Sequence, residues 1–137
     1  MPKVFRGKVI IPVDKINEYI EFMEEAEKQR KPFVDECDRM LDGFYDYLKK
    51  DKGYSDETID RHVFIIEMFM EFLAKYTDVW EFSEITTGIA GSYFRDWYRR
   101  KVWGGPTVDR IPISMKEFFT FLSIKKNIHN EKVLGKR

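Results

Sequence analysis

Cysteine is nearly absent. The 137 residues hold one, Cys37, so the chain has no internal disulfide framework and suits a reducing compartment. Histidine is scarce as well: His62 and His129 are the only two, and neither has a partner at the spacing of a metal site. No glycine-rich phosphate loop is written, because Gly104-Gly105-Pro106 lacks the Lys and Ser or Thr that would follow. The acid-rich run 24–31, "EEAEKQRK", reads as a solvated helix face rather than a metal cluster. No apolar run approaches the roughly 20 residues that cross a bilayer. The N-terminal "MPKVFRGKVIIPVDK" lacks the apolar core and cleavage site of a signal peptide. These gaps predict a cytoplasmic protein away from membranes, with no cofactor and no metal, and not an enzyme.

Net charge is missing too. Twenty-four basic and 24 acidic side chains cancel, which argues against a simple nucleic-acid binder. The distribution qualifies this. Residues 1–70 hold 12 basic and 16 acidic side chains, and residues 71–137 hold 12 and 8. The halves are therefore −4 and +4.

What the chain does have is apolar material in helical rhythm. At 43% apolar and 16% aromatic it can bury a core without staples, so disorder is a poor description. Residues 1–13 read as an arm or short strand. Asp14 can cap a helix carrying Ile16, Ile20 and Met23, which Pro32 should end or bend. A second stripe follows in Val34, Cys37, Leu41, Phe44 and Leu48, with Cys37 as an inert core thiol. Gly43 inside it costs about 1 kcal/mol relative to Ala and is a candidate break; Gly53 is a natural stop. Ser55 caps the next helix, with Asp56 and Glu57 in its first turn. Its stripe is Ile59, Val63, Ile66, Met70 and Leu73, widened by Ile65, Phe69 and Phe72. A loop over 76–86 leads to a helix from about Thr87 to Val102, with Ile89, Tyr93 and Trp97 facing in and Arg95 and Arg99 opposite. After "WGGPT" a fifth helix carries Val108, Ile111, Met115, Phe118, Phe119 and Leu122. Pro112 in its second turn should kink it or delay its regular part. The last eleven residues, "NIHNEKVLGKR", read as a frayed tail. The fold class is all-α.

Two helix heads repeat. Setting Thr58 over Thr107 aligns Ile59 with Val108, Asp60 with Asp109 and Arg61 with Arg110; further on, Phe69, Phe72 and Leu73 fall over Phe118, Phe121 and Leu122. "YSDETIDRHVFIIEMFMEFL" resembles the second helix of the core-binding, SAM-like domain of tyrosine recombinases and phage integrases. "PTVDRIPISMKEFFTFLSIKKNI" is similar to that domain's last helix, "LDGFYDYLKKDKGYS" to its first helix and turn, and "FSEITTGIAGSYFRDWYRR" to its third. The resemblance spans residues 33–128. It implies a SAM-like four-helix orthogonal bundle with an additional N-terminal helix, divided as an arm and extra helix (1–32), the SAM-like domain (33–128) and a tail (129–137). The family's catalytic Arg, Lys, His-x-x-Arg and Tyr set has no counterpart here, since neither His62 nor His129 is followed by Arg at that spacing.

The resemblance also implies double-stranded DNA as the partner, held at the starts of the second and last helices. Thr58, Arg61 and His62 would form one phosphate clamp and Thr107 and Arg110 a second. Arg99, Arg100 and Lys101 lie just before the second clamp, and Lys125 and Lys126 after it. The plainer reading stays open. Thr58 and Thr107 could be ordinary first-turn residues, His62 could be core margin, and Asp60 and Asp109 oppose phosphate unless the arginines take them up. A protein-interaction or structural domain is then the alternative, with a recombinase or a second copy meeting the N-terminal helix. Phe22, Phe64, Met68 and Ile113 would be its exposed apolar contacts.

Overall fold

A computed structural model describes residues 3–5, 10–102, 106–130 and 133, with Pro106 and Thr107 described in backbone only. Four α-helices make the fold: α1 (Ile16–Asp46), α2 (Asp56–Tyr76), α3 (Phe94–Lys101) and α4 (Ile111–Lys125). The described residues contain no strand; a single antiparallel bridge joins Val4 to Thr77. The arm Lys3–Phe5 thus lies against the end of α2, with the Phe5 amide on the Tyr76 carbonyl at 2.8 Å.

The two helices expected on either side of Pro32 are one. α1 runs through Pro32 for 31 residues. The ring removes one helical donor, the one the Lys28 carbonyl would have received, and Lys28 is exposed where water can take its place. Continuity is held from outside. The Arg30 guanidinium donates to the Leu73, Ala74 and Thr77 carbonyls at 2.7, 3.2 and 3.2 Å, capping the C-terminus of α2. Its plane also sits over the Phe33 and Trp80 rings.

Gly43 is no break either. A Cβ there would stand 3.1 Å from the Phe121 ring, so the missing side chain lets α4 approach α1. At its far end α1 widens into a π turn, Tyr47–Asp51, and Gly53 at φ +63° reverses the chain. The Tyr54 amide then bonds the Leu48 carbonyl at 3.1 Å. With Arg30 at one end and Leu48 at the other, α1 and α2 form an antiparallel hairpin.

α2 begins as the sequence predicts. Ser55 Oγ accepts from the Thr58 amide at 3.3 Å, and Ile59, Ile65, Ile66, Phe69, Met70, Phe72 and Leu73 are buried, with Val63 and Met68 half-buried. Met68 is therefore not one of the exposed contacts. Phe22, Phe64 and Ile113 are exposed as expected.

Tyr93 faces out at 39% exposed, against expectation. The reason is a π turn at Ile89–Tyr93. It inserts a residue into the rhythm, so the buried sequence runs from Ile89 to Phe94 and on to Trp97 and Tyr98. Arg95 and Arg99 stay exposed.

Pro112 delays the last helix. A 3-10 turn, Pro106–Arg110, precedes it, and α4 places Pro112 in its first turn, where a missing amide costs nothing. The core closes on rings: Phe44 meets Phe118 edge-on at 5.4 Å, Phe69 meets Phe94 at 5.1 Å, and Phe72 meets Trp97 at 5.4 Å. Each such fully buried side chain contributes about 1.5–3 kcal/mol.

The tail is not all frayed. Asn130 is buried, and its amide donates to the Phe82 and Ile85 carbonyls at 3.0 and 2.9 Å, pinning the α2–α3 connection. Beyond Asn130 the tail lies outside the described residues except for Val133.

Candidate nucleic-acid interface

α2 and α4 pack against each other. His62 Nδ1 and Ser114 Oγ share a hydrogen bond at 2.7 Å near both starts, and further along Phe69 meets Phe119 at 6.4 Å. The second turn of α2 is thereby tied to the first turn of α4.

At the head of α2 the side chains order one another. Ser55 Oγ donates to Thr58 Oγ1 at 3.1 Å, and Arg61 Nη2 donates to the same oxygen at 3.2 Å. With two donors on its oxygen, the Thr58 hydroxyl keeps its own proton to give. Arg61 Nη1 stands 3.7 Å from Glu57, a pairing that is mostly solvated, and its side chain is 39% exposed. Its Nε is buried without a partner among the described residues. Asp60 does not take up Arg61; Glu57 and Thr58 do.

Beneath the heads lies a polar seam. The Ser114 side chain is fully buried, and Tyr54 donates to Glu117 at 3.2 Å and packs its ring 6.0 Å from His62. Burial pushes the His62 imidazole below its usual range; Glu117 pulls it back up, and the Arg61 and Arg110 cations lower it further. His62 is thus a neutral strut between α2 and α4, and Arg110 is near enough to be felt there. The Glu117 carboxylate in turn holds the Lys52 ammonium above its usual range.

The second head is built differently from the first. Thr58 lies inside α2 behind a Ser cap, whereas the aligned Thr107 and Arg110 lie in the 3-10 turn, with Arg110 as the capping residue of α4 and no side-chain cap bond. Pro112 is the physical cause, since it moves the regular helix downstream. The Thr107 side chain lies outside the described residues. Arg110 and Asp109 are exposed and make no ion pair among them.

The other basic residues divide. Arg99, Arg100 and Lys101 are exposed on the last turn of α3. Lys101 Nζ rests over the Tyr76 and Trp97 rings at 5.7 and 5.9 Å. Tyr76 closes α2, fifteen residues from Arg61, which is about 22 Å along the axis. Lys125 pairs with Asp51 at 2.6 Å, and Lys126 lies beside Gly43; both close α4, at the end away from Arg110. Thr58, Arg61, His62 and Arg110 come together; Lys101 lies at the far end of α2, and Lys125 sits on the turn that leads into α2, where Asp51 takes it up.

Tyr54, Ser114 and Glu117 were missed by sequence reasoning. One signal was available: Ser114 interrupts the buried stripe between Ile111 and Phe118, and a hydroxyl at such a position needs a partner.

No helix among the described residues is long and apolar enough to cross a membrane. No curated protein and no solved structure matches the chain. The family described as phage integrase, N-terminal SAM-like domain, does, over residues 41–126. That stretch runs from the lower half of α1 to the end of α4 and is well over half of the chain, in agreement with the all-helical bundle and the resemblance of its helix heads. The chain belongs to the phage integrase N-terminal SAM-like domain family.

Proposed function

We infer that the chain is a DNA-binding module that grips duplex phosphates with the N-termini of α2 and α4 and does not itself cut strands. One observation supports this reading: the His62–Ser114 bond ties the second turn of α2 to the first turn of α4. Helix N-termini offer unpaired amides and a positive dipole end to anions. Thr58 adds a hydroxyl proton, and Arg61 and Arg110 add charge on either side of the seam. Arg99 and Arg100 add exposed charge on α3. Zero net charge makes affinity modest and steeply salt-dependent, because counterion release is its main source.

The test is fluorescence anisotropy of a labelled duplex titrated at several salt concentrations. Wild type should bind with a steep salt slope. Arg61→Ala/Arg110→Ala should bind more weakly with a slope smaller by about 2, one for each lost phosphate contact. No binding at low salt from a folded protein sinks the reading. A helical interaction domain that no longer binds DNA would then take its place, and the exposed Phe22, Phe64 and Ile113 favour it.

A further inference from the structure

α1 is longer than the core it serves. Its buried residues are Phe33, Cys37, Met40 and Phe44, and none precedes Phe33. Residues 16–32 are therefore about 25 Å of helix without a buried side chain, all ahead of the family segment 41–126. This half is not polar all round. Ile16, Ile20 and Met23, spaced by four and then three, share one side and are 42, 47 and 40% exposed; Phe22 is 67% exposed. An apolar helix face of this kind is a contact surface.

Charge decides what covers it. Residues 14–27 carry six carboxylates and one lysine, a net −5. Two copies laid tip against tip would set −5 against −5, which disfavours a symmetric pairing. The opposite sign is found elsewhere on the same chain. α3 carries Arg95, Arg99, Arg100 and Lys101 against Asp96, a net +3, all exposed. None of these four cations makes an ion pair among the described residues. Beside them Phe64, 44% exposed, packs edge-on against Tyr98. α3 thus offers cations next to an apolar footing, and the α1 tip offers carboxylates next to an apolar stripe.

We propose that the N-terminal half of α1 docks on α3 of a second copy, through Ile16, Ile20, Phe22 and Met23 against the Phe64 edge and through the flanking carboxylates against Arg99 and Arg100. The contact joins two different surfaces, so symmetry does not close it at two copies. Association is weakened by salt.

The test is sedimentation velocity over a range of concentrations at low and high salt, on wild type, on Glu24→Lys/Glu27→Lys and on Arg99→Glu/Arg100→Glu. Glu24 and Glu27 lie one turn beyond Ile20 and Met23 and share their side. Wild type should associate at low salt, and each variant alone should associate at least about tenfold more weakly. An equimolar mixture of the two variants should associate again, because an intact tip meets an intact α3 and the reversed tip meets the reversed α3. Far-UV circular dichroism establishes that both variants fold. A wild type that stays monomeric at low salt overturns the proposal. So does a tip variant that associates like wild type, or a mixture that stays monomeric. Anisotropy on the same samples reports DNA binding separately: a monomer that binds DNA removes this contact alone, and an assembly that ignores DNA removes the DNA reading alone.

Discussion

Replacing Arg30 by Met tests whether the upper half of α1 belongs to the folded unit. Met keeps an apolar stem between the Phe33 and Trp80 rings and removes every donor. Three charge-assisted hydrogen bonds to the end of α2 are lost, each about 1.5–3 kcal/mol in isolation. Two effects reduce the sum. Arg30 is half-buried, so water reaches some of the freed carbonyls. Desolvation already holds its guanidinium below the usual range, and that cost is recovered on substitution. The net loss should be about 2–3 kcal/mol. For a chain of this size it corresponds to a fall in Tm of roughly 6–12 °C. Urea unfolding followed at 222 nm measures it. Arg30→Lys should fall between the two, because an ammonium reaches one carbonyl but cannot fork across three. An Arg30→Met protein within about 0.5 kcal/mol of wild type would refute the reasoning and make α1 an appendage above Phe33.

Protonation of His62 should cost stability. Its pKa is depressed in the folded state from about 6.5 in the unfolded one, so between these values the unfolded chain binds more protons. Stability should be complete above about pH 6.5 and fall as pH drops below it, and His62→Gln should flatten that part of the urea-midpoint profile. The Cys37 thiol is buried and pushed up to about 12, chiefly by desolvation; a thiol reagent should label it slowly in the native protein and rapidly in denaturant. Asn130→Ala strands the Phe82 and Ile85 carbonyls and should cost about 2 kcal/mol, with faster amide exchange over 82–85 as the local readout.

Features decided within a turn or two were legible in the sequence. Ser55 as cap, Gly53 as stop and the wide stripe of α2 depend on near neighbours, and they stand where the residues place them. Pro32 was misread because the continuity of α1 depends on Arg30 and on carbonyls more than forty positions away. Tyr93 was misplaced because a period of 3.6 cannot foresee the π turn in which it lies, although Trp97, Arg95 and Arg99 beyond it face as expected. The repeated Thr-apolar-Asp-Arg head located the two helix starts, yet Pro112 gave the second a different backbone. The seam of Tyr54, His62, Ser114 and Glu117 joins four positions from a loop and two helices, and no local pattern relates them. Asn130 was lost in a polar tail for the same reason.

The unbroken α1 also makes the protein a lever. Its 31 residues span about 46 Å, and the Arg30 clamp is a fulcrum near the middle. About 21 Å of rod lies on the tip side and about 24 Å on the other. The far arm is held fast, because Phe33, Cys37, Met40 and Phe44 bury it in the core, so a pull on Ile16 or Ile20 is borne by that core. There the rod meets α4 at Gly43, where an added Cβ would stand 3.1 Å from the Phe121 ring. Whatever seizes the tip therefore takes hold of the same continuous helix that packs against α4.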